Sequence, residues 1–171
     1  MPRGMRSVSG SLASVRTLVA SDDTERSDNT NTANIPLSTV SGISIPAGNK
    51  VRVTFMIRKA AIATAALIGF RINATIVLST AAAATVAFGA GAAAQSGIVV
   101  IEFMVGEANY LQSGIVRAVL AETNYGNPLT YTTVGLAQTA NIPTATITSL
   151  AVLGNSAAGG TVFSHHLKVY V

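Results

Sequence analysis

Few side chains in this 171-residue chain are equipped for chemistry: there are two histidines, seven carboxylates and no cysteine. Without thiols there are no disulfides, thiolate metal sites, cysteine nucleophiles or thiol redox switches. The histidines are adjacent, His165 and His166. The segment Thr161–Val171 reads as a strand, where neighbouring side chains point to opposite faces, so the two rings are not expected to share a metal. Phe163, His165, Leu167, Val169 and Val171 fall on one face, and Val162, Ser164, His166, Lys168 and Tyr170 on the other. This makes His165 a core or interface histidine and His166 a wet one. A serine hydrolase needs a base, oriented by a carboxylate, beside an activated serine. No Gly-x-Ser-x-Gly elbow is present to supply one.

Glu102 and Glu122 are the conceivable carboxylate pair for glycoside chemistry, with two separate surface acids as the favoured reading. Asp22, Asp23, Glu25 and Asp28 could offer oxygen ligands to a hard cation. Their spacing lacks the alternating ligands and turn glycine of a calcium loop, and the run reads as a solvated acidic loop. The glycines at 89, 91 and 97 and at 154, 159 and 160 make neither a dinucleotide fingerprint nor a Walker loop, and read as turns. Tyr110, Tyr125 and Tyr131 fall near expected loops, where tyrosines serve sugar binding or a subunit contact, or pack at loop bases, the favoured reading. No catalytic, cofactor-binding or metal-binding residue is assigned, and the chain is expected to be non-enzymatic, with no cofactor and no small-molecule substrate.

The cations are more informative. Residues 1–28 carry Arg3, Arg6, Arg16 and Arg26 against Asp22, Asp23, Glu25 and Asp28, so the net +4 arises from residues 29–171. Between Asn29 and Ile101 there is no acid, yet Lys50, Arg52, Arg58, Lys59 and Arg71 lie there. Such a stretch calls for an acidic partner: the 22–28 segment, a neighbouring subunit or nucleic acid. A modest total charge and a lack of interleaved aromatics argue against nucleic acid. Arg3, Arg6, Arg16, Lys50, Arg52 and Arg58 are the candidate inter-subunit or partner contacts.

These residues must be positioned by strands. Lys50–Arg58 has the clearest period: Val51, Val53, Phe55 and Ile57 alternate with Lys50, Arg52, Thr54, Met56 and Arg58. Ile68, Phe70, Ile72, Ala74, Ile76 and Leu78 alternate likewise, as one long strand whose Phe70, Ile72 and Ile76 are expected to share a core with the first set. Gly97–Val105 and Gly114–Glu122 form a pair across the polar turn 106–113. Further strands are expected at Leu12–Ala20, Leu37–Ile45, Thr130–Leu136, Ala145–Leu153 and Thr161–Val171, with turns at 45–49 and Asn124–Pro128. Ala60–Ala66 and Ala81–Ala94 could form short helices by alanine propensity, or connect strands. The expected fold is all-β: an antiparallel β-sandwich, jelly-roll-like, over residues 35–171, with an extended N-terminal arm and polar loop over 1–34.

Composition sets the outer limits. With 49% hydrophobic and 11% charged residues the chain is too apolar to be disordered throughout. Met1–Arg16 lacks the apolar core of a signal peptide. Ile72–Ile101 has no charge and is long enough to cross a bilayer, but its Asn, Thr, Ser, Gln and Gly content argues for strands around an Ala-rich connection.

The ending Ala145–Gly154, a small-residue loop and then Thr161–Tyr170, together with Ile45–Phe55, resembles the closing hairpin and strand patterns of small bacteriophage virion proteins, β-sandwiches that decorate heads or build tails and fibres. The resemblance covers about a third of the chain through unspecific patterns, and no site residue transfers with it. It implies a non-enzymatic virion protein, assembled in the host cytoplasm, that is a homo-oligomer bound to a major capsid or tail protein. The other readings are a carbohydrate- or receptor-binding module using the tyrosine-bearing loops, and a small membrane-associated protein using Ile72–Ile101.

Overall fold

Alternating apolar and polar residues become strand after strand. The computed structural model describes residues 16–30, 33–60, 66–78, 80, 86–88, 95–106, 111–122, 130–135, 146–155 and 161–171. Among them run β1 (Leu18–Asp22), β2 (Arg26–Asp28), β3 (Ile35–Ile45), β4 (Lys50–Lys59), β5 (Ala66–Ile72), β6 (Thr75–Leu78), β7 (Val86–Phe88), β8 (Gln95–Val105), β9 (Leu111–Glu122), β10 (Thr130–Gly135), β11 (Ile147–Asn155) and β12 (Val162–Tyr170).

The pairings are antiparallel and nested. β1 and β2 pair with β12, β3 with β11, β4 with β8, and β5 with β6 and β7. A ribbon doubled back on itself pairs its strands from the ends inward in this way, and rolling it up yields two facing sheets. One has the order β1/β2-β12-β4-β8, extended by β9 and β10 to seven strands; the other, of five, has the order β3-β11-β5-β6/β7. The fold is an antiparallel β-sandwich with jelly-roll strand order, as expected.

The core lies between the sheets. Val51, Val53, Phe55 and Ile57 of β4 join Val99, Ile101 and Phe103 of β8 and Leu167 and Val169 of β12, facing Leu37 and Val40, Ile68, Phe70 and Ile72, and Leu150 and Val152. Phe70 and Phe103 touch across the interior, ring centres 6.4 Å apart. The buried Ser38 hydroxyl donates to that of Ser164 at 3.0 Å. Gly48, at φ +85°, turns the chain into β4 and donates its N–H to the Val105 carbonyl.

Several expectations are corrected. Ile68–Leu78 is a hairpin and not one strand: Asn73, at φ +51°, reverses the chain. Its side-chain oxygen accepts the Thr148 and Ser149 N–H groups while its amide donates to the Thr146 carbonyl, tying the turn to β11. The reversal resets the phase, so Ile76 is 42% exposed and not in the core. The acidic run contains strand: β1 ends at Asp22 and β2 is Arg26–Asp28. The part of the Leu12–Ala20 expectation before residue 16 lies outside the described residues, as do the Asn124–Pro128 turn and most of 60–66 and 81–94. Within those Ala-rich segments Ala66 opens β5 and 86–88 is β7, so neither place is helical. The last correction concerns the histidines and belongs with the site. Among the described residues no helix is long and apolar enough to cross a membrane.

Candidate functional site

The outer face of the seven-stranded sheet gathers most of the singled-out residues. β4 turns Lys50, Arg52, Thr54, Met56 and Arg58 outward, because its odd-numbered neighbours are claimed by the core. Opposite them in register stand Met104, Glu102, Val100, Ile98 and Ser96 of β8. Met56, Ile98 and Met104 are 38%, 49% and 39% exposed, and Met56 and Ile98 are direct cross-strand partners. The surface is therefore apolar and cationic at once.

Its charges are held from the margins. Arg58 lies over the Phe163 ring at 3.7 Å and donates to both Glu25 oxygens, from Nη2 at 2.8 Å and Nε at 3.2 Å. These bonds hold the Glu25 carboxyl below the usual carboxylate range. At the other end of β4, Arg16 meets Glu102 at 2.8 Å, and Lys50 and Arg52 add their fields, so the Glu102 carboxyl is lowered too, chiefly by Arg16. Arg16, Lys50 and Arg52 thus collect around Glu102. Arg58 stands six residues along the strand from Arg52, about 20 Å away, with its own partner. Arg3 and Arg6 lie outside the described residues.

The acidic run is parcelled out among separate partners and forms no chelating loop. Asp22 accepts from Arg26 and from the Thr24 and Thr39 N–H groups, which outweigh the opposing effect of burial and lower its carboxyl. Asp23 Oδ1 lies 2.8 Å from His166 Nδ1. Asp28 accepts the Thr30 N–H and hydroxyl. Among the described residues no three His, Asp or Glu side chains are placed to hold a metal. Asp22 and Arg26 also serve the open edge of β3, Asp22 through the Thr39 N–H and Arg26 by donating to the Leu37 carbonyl.

The strict alternation expected of Thr161–Val171 fails at a bulge. His165 is opposite Met56 but Lys168 is opposite Thr54, so one extra residue is inserted, with His166 at φ +53°. Ser164 is buried before the bulge, and Leu167 and Val169 after it. Both histidines consequently sit on the outer side, rings 4.5 Å apart, His165 half-buried and His166 exposed. The signal available in the sequence was a small polar Ser164 sharing the inward role with Leu167, which no unbroken period allows.

Glu102 and Glu122 do not meet: in register Glu122 faces Gln95, seven residues from Glu102 along β8, about 24 Å. Tyr131 is in β10 opposite Val119, within the strand expected at Thr130–Leu136; Tyr110 and Tyr125 lie outside the described residues.

Among the described residues three carboxyls are lowered, and they shape the acid response. Groups with depressed folded-state pKa values contribute stability that is full above the unfolded range, about pH 4, and lost as pH falls through it and below. The denaturant midpoint should be flat near neutral pH and decline on acidification, with Glu102→Gln shallowing the decline. A wild-type midpoint that stays constant as pH falls through the carboxylate range and below it would contradict these pairings.

No family model matches the chain, and no curated protein matches it. A solved structure of the infectious bursal disease virus Gx strain is similar to it at 15% identity and a TM-score of 0.28; the match covers 91% of this chain and 41% of that one. The chain therefore spans less than half the length of that relative.

Proposed function

We propose that the chain is a non-enzymatic structural component of a virion, which self-associates and binds a capsid or tail surface through the outer face of its seven-stranded sheet. The observation that carries the reading is the exposed cross-strand pair of Met56 and Ile98 on a face that also carries Lys50, Arg52, Arg58 and, six residues along β8 from Ile98, Met104. Single exposed apolar residues need no explanation, but a contiguous pair on a charged face is the composition of a subunit interface. Jelly rolls build viral shells and also lectins and cupins, so the fold permits the role without choosing it. Among the described residues four carboxylates are held in structural pairs, which favours a non-enzymatic role: Asp22 with Arg26, Asp23 with His166, Glu25 with Arg58, and Glu102 with Arg16. Assembly in the host cytoplasm and location in the particle go with this proposal.

Native mass tests it. Wild type should sediment as a discrete oligomer, and Ile98→Glu should give monomers with unchanged circular dichroism and melting, since the side chain is half in water already. A wild type that stays monomeric at every concentration, or an Ile98→Glu variant that assembles as wild type does, would sink the reading.

A further inference from the structure

Beside the apolar pair, the cations around Glu102 outnumber the acids. Arg16, Lys50 and Arg52 share one carboxylate. A cleft of about 310 Å³ opens there, lined by Arg16, Arg52, Thr54 and Tyr170, and a second of about 410 Å³ lies on the other flank of Arg16, lined also by Lys50 and Asn49. The Nε of Arg52 is buried and meets no acceptor among the described residues. A buried guanidinium N–H with no acceptor is costly; the Nε of Arg71 shares that state, but Arg52 also lines a cleft beside Arg16, Thr54 and Tyr170.

We propose that the Arg16–Arg52 cleft is a receptor for a carboxylate, supplied in the assembled particle by an acidic side chain of a neighbouring subunit. Only this choice of source rests on the assembly reading. A guanidinium fork matches the two oxygens of a carboxylate, the Thr54 hydroxyl and Tyr170 phenol add neutral donors, and Lys50 adds field. A carboxylate is the oxyanion that an unmodified protein side chain supplies, and the excess of Arg16, Lys50 and Arg52 over Glu102 accommodates its single charge.

The test follows the Arg52 Nε–H signal by nuclear magnetic resonance in the full chain near neutral pH. Acetate and inorganic phosphate are titrated separately, each against chloride at matched ionic strength. Acetate should move the signal saturably, Arg52→Lys should weaken binding about tenfold or more when followed on the Thr54 amide, and Arg71→Lys, in β5 of the other sheet, should leave it unchanged. Movement by phosphate alone would overturn the carboxylate assignment. Acetate acting no differently from chloride, or equally on Arg52→Lys, would remove the site. Because the readout is binding of a free anion, it can succeed where Ile98→Glu shows the assembly reading to be wrong, and fail where that reading holds.

Discussion

Phe55→Ala is expected to cost about 3–5 kcal/mol, a large part of the stability of an ordinary domain. Phe55 is 1% exposed at the middle of β4, which itself lies between β12 and β8. Its neighbour in register, Val99, is also fully buried. Strands on both sides fix the backbone, and the facing sheet is held by its own ladders, so little can collapse into the space a lost ring leaves. Phe55→Leu, which keeps most of the volume, should cost less than about 1.5 kcal/mol. Equilibrium denaturation of both variants checks the pair. A Phe55→Ala loss below about 1 kcal/mol, within the range of an ordinary surface change, would show that the inward register of β4 is wrong.

Removal of residues 1–28 is expected to be as severe. The polar composition of this segment suggests a body that folds without it and an arm that serves only assembly. The pairing argues against that independence, because β1 and β2 together make seven register pairs with β12, four from β1 and three from β2. Deletion would strip that edge, uncap the Thr39 N–H held by Asp22, and release Arg58 and His166 from Glu25 and Asp23. An unpaired edge on a strand this apolar invites pairing with other chains. The 29–171 fragment should therefore melt well below the full chain or aggregate, as read by circular dichroism and light scattering. A fragment that is monodisperse with an unchanged melting temperature would refute this account.

What could be seen in advance follows from how pleated backbone advertises itself. β4 and β8 were legible because one face of each is buried and a period of two survives in the residues, and β3 and β11 because apolar runs stand between turn signals, Leu150 to Leu153 of β11 being buried in succession. The β5–β6 turn was hidden because Ala74 and Ile76 continue the apolar phase through it; only the tolerance of Asn73 for a left-handed backbone marks the place. β1 and β2 escaped because their burial is slight, and their reason for being strands is the edge of β12, more than 130 residues away, which no local window contains. The cations of the β4 face were legible as a group in want of acid. That Glu25 answers Arg58 while Glu102 answers Arg16 depended on which strands became neighbours.

The nested pairing also sets a timetable. In the seven-stranded sheet β12 stands between β1/β2 and β4, so until it has been synthesised the first two strands have no ladder to join and β4 has one bare edge. The buried contact between Ser38 and Ser164 closes a span of 126 residues. Long-range closures of this kind are slow, and they leave strand edges open while the ribosome is still at work. A nascent chain thus has no continuous outer face until β12 is in place, and under the proposed assembly role the order of translation holds association back until the fold is closed.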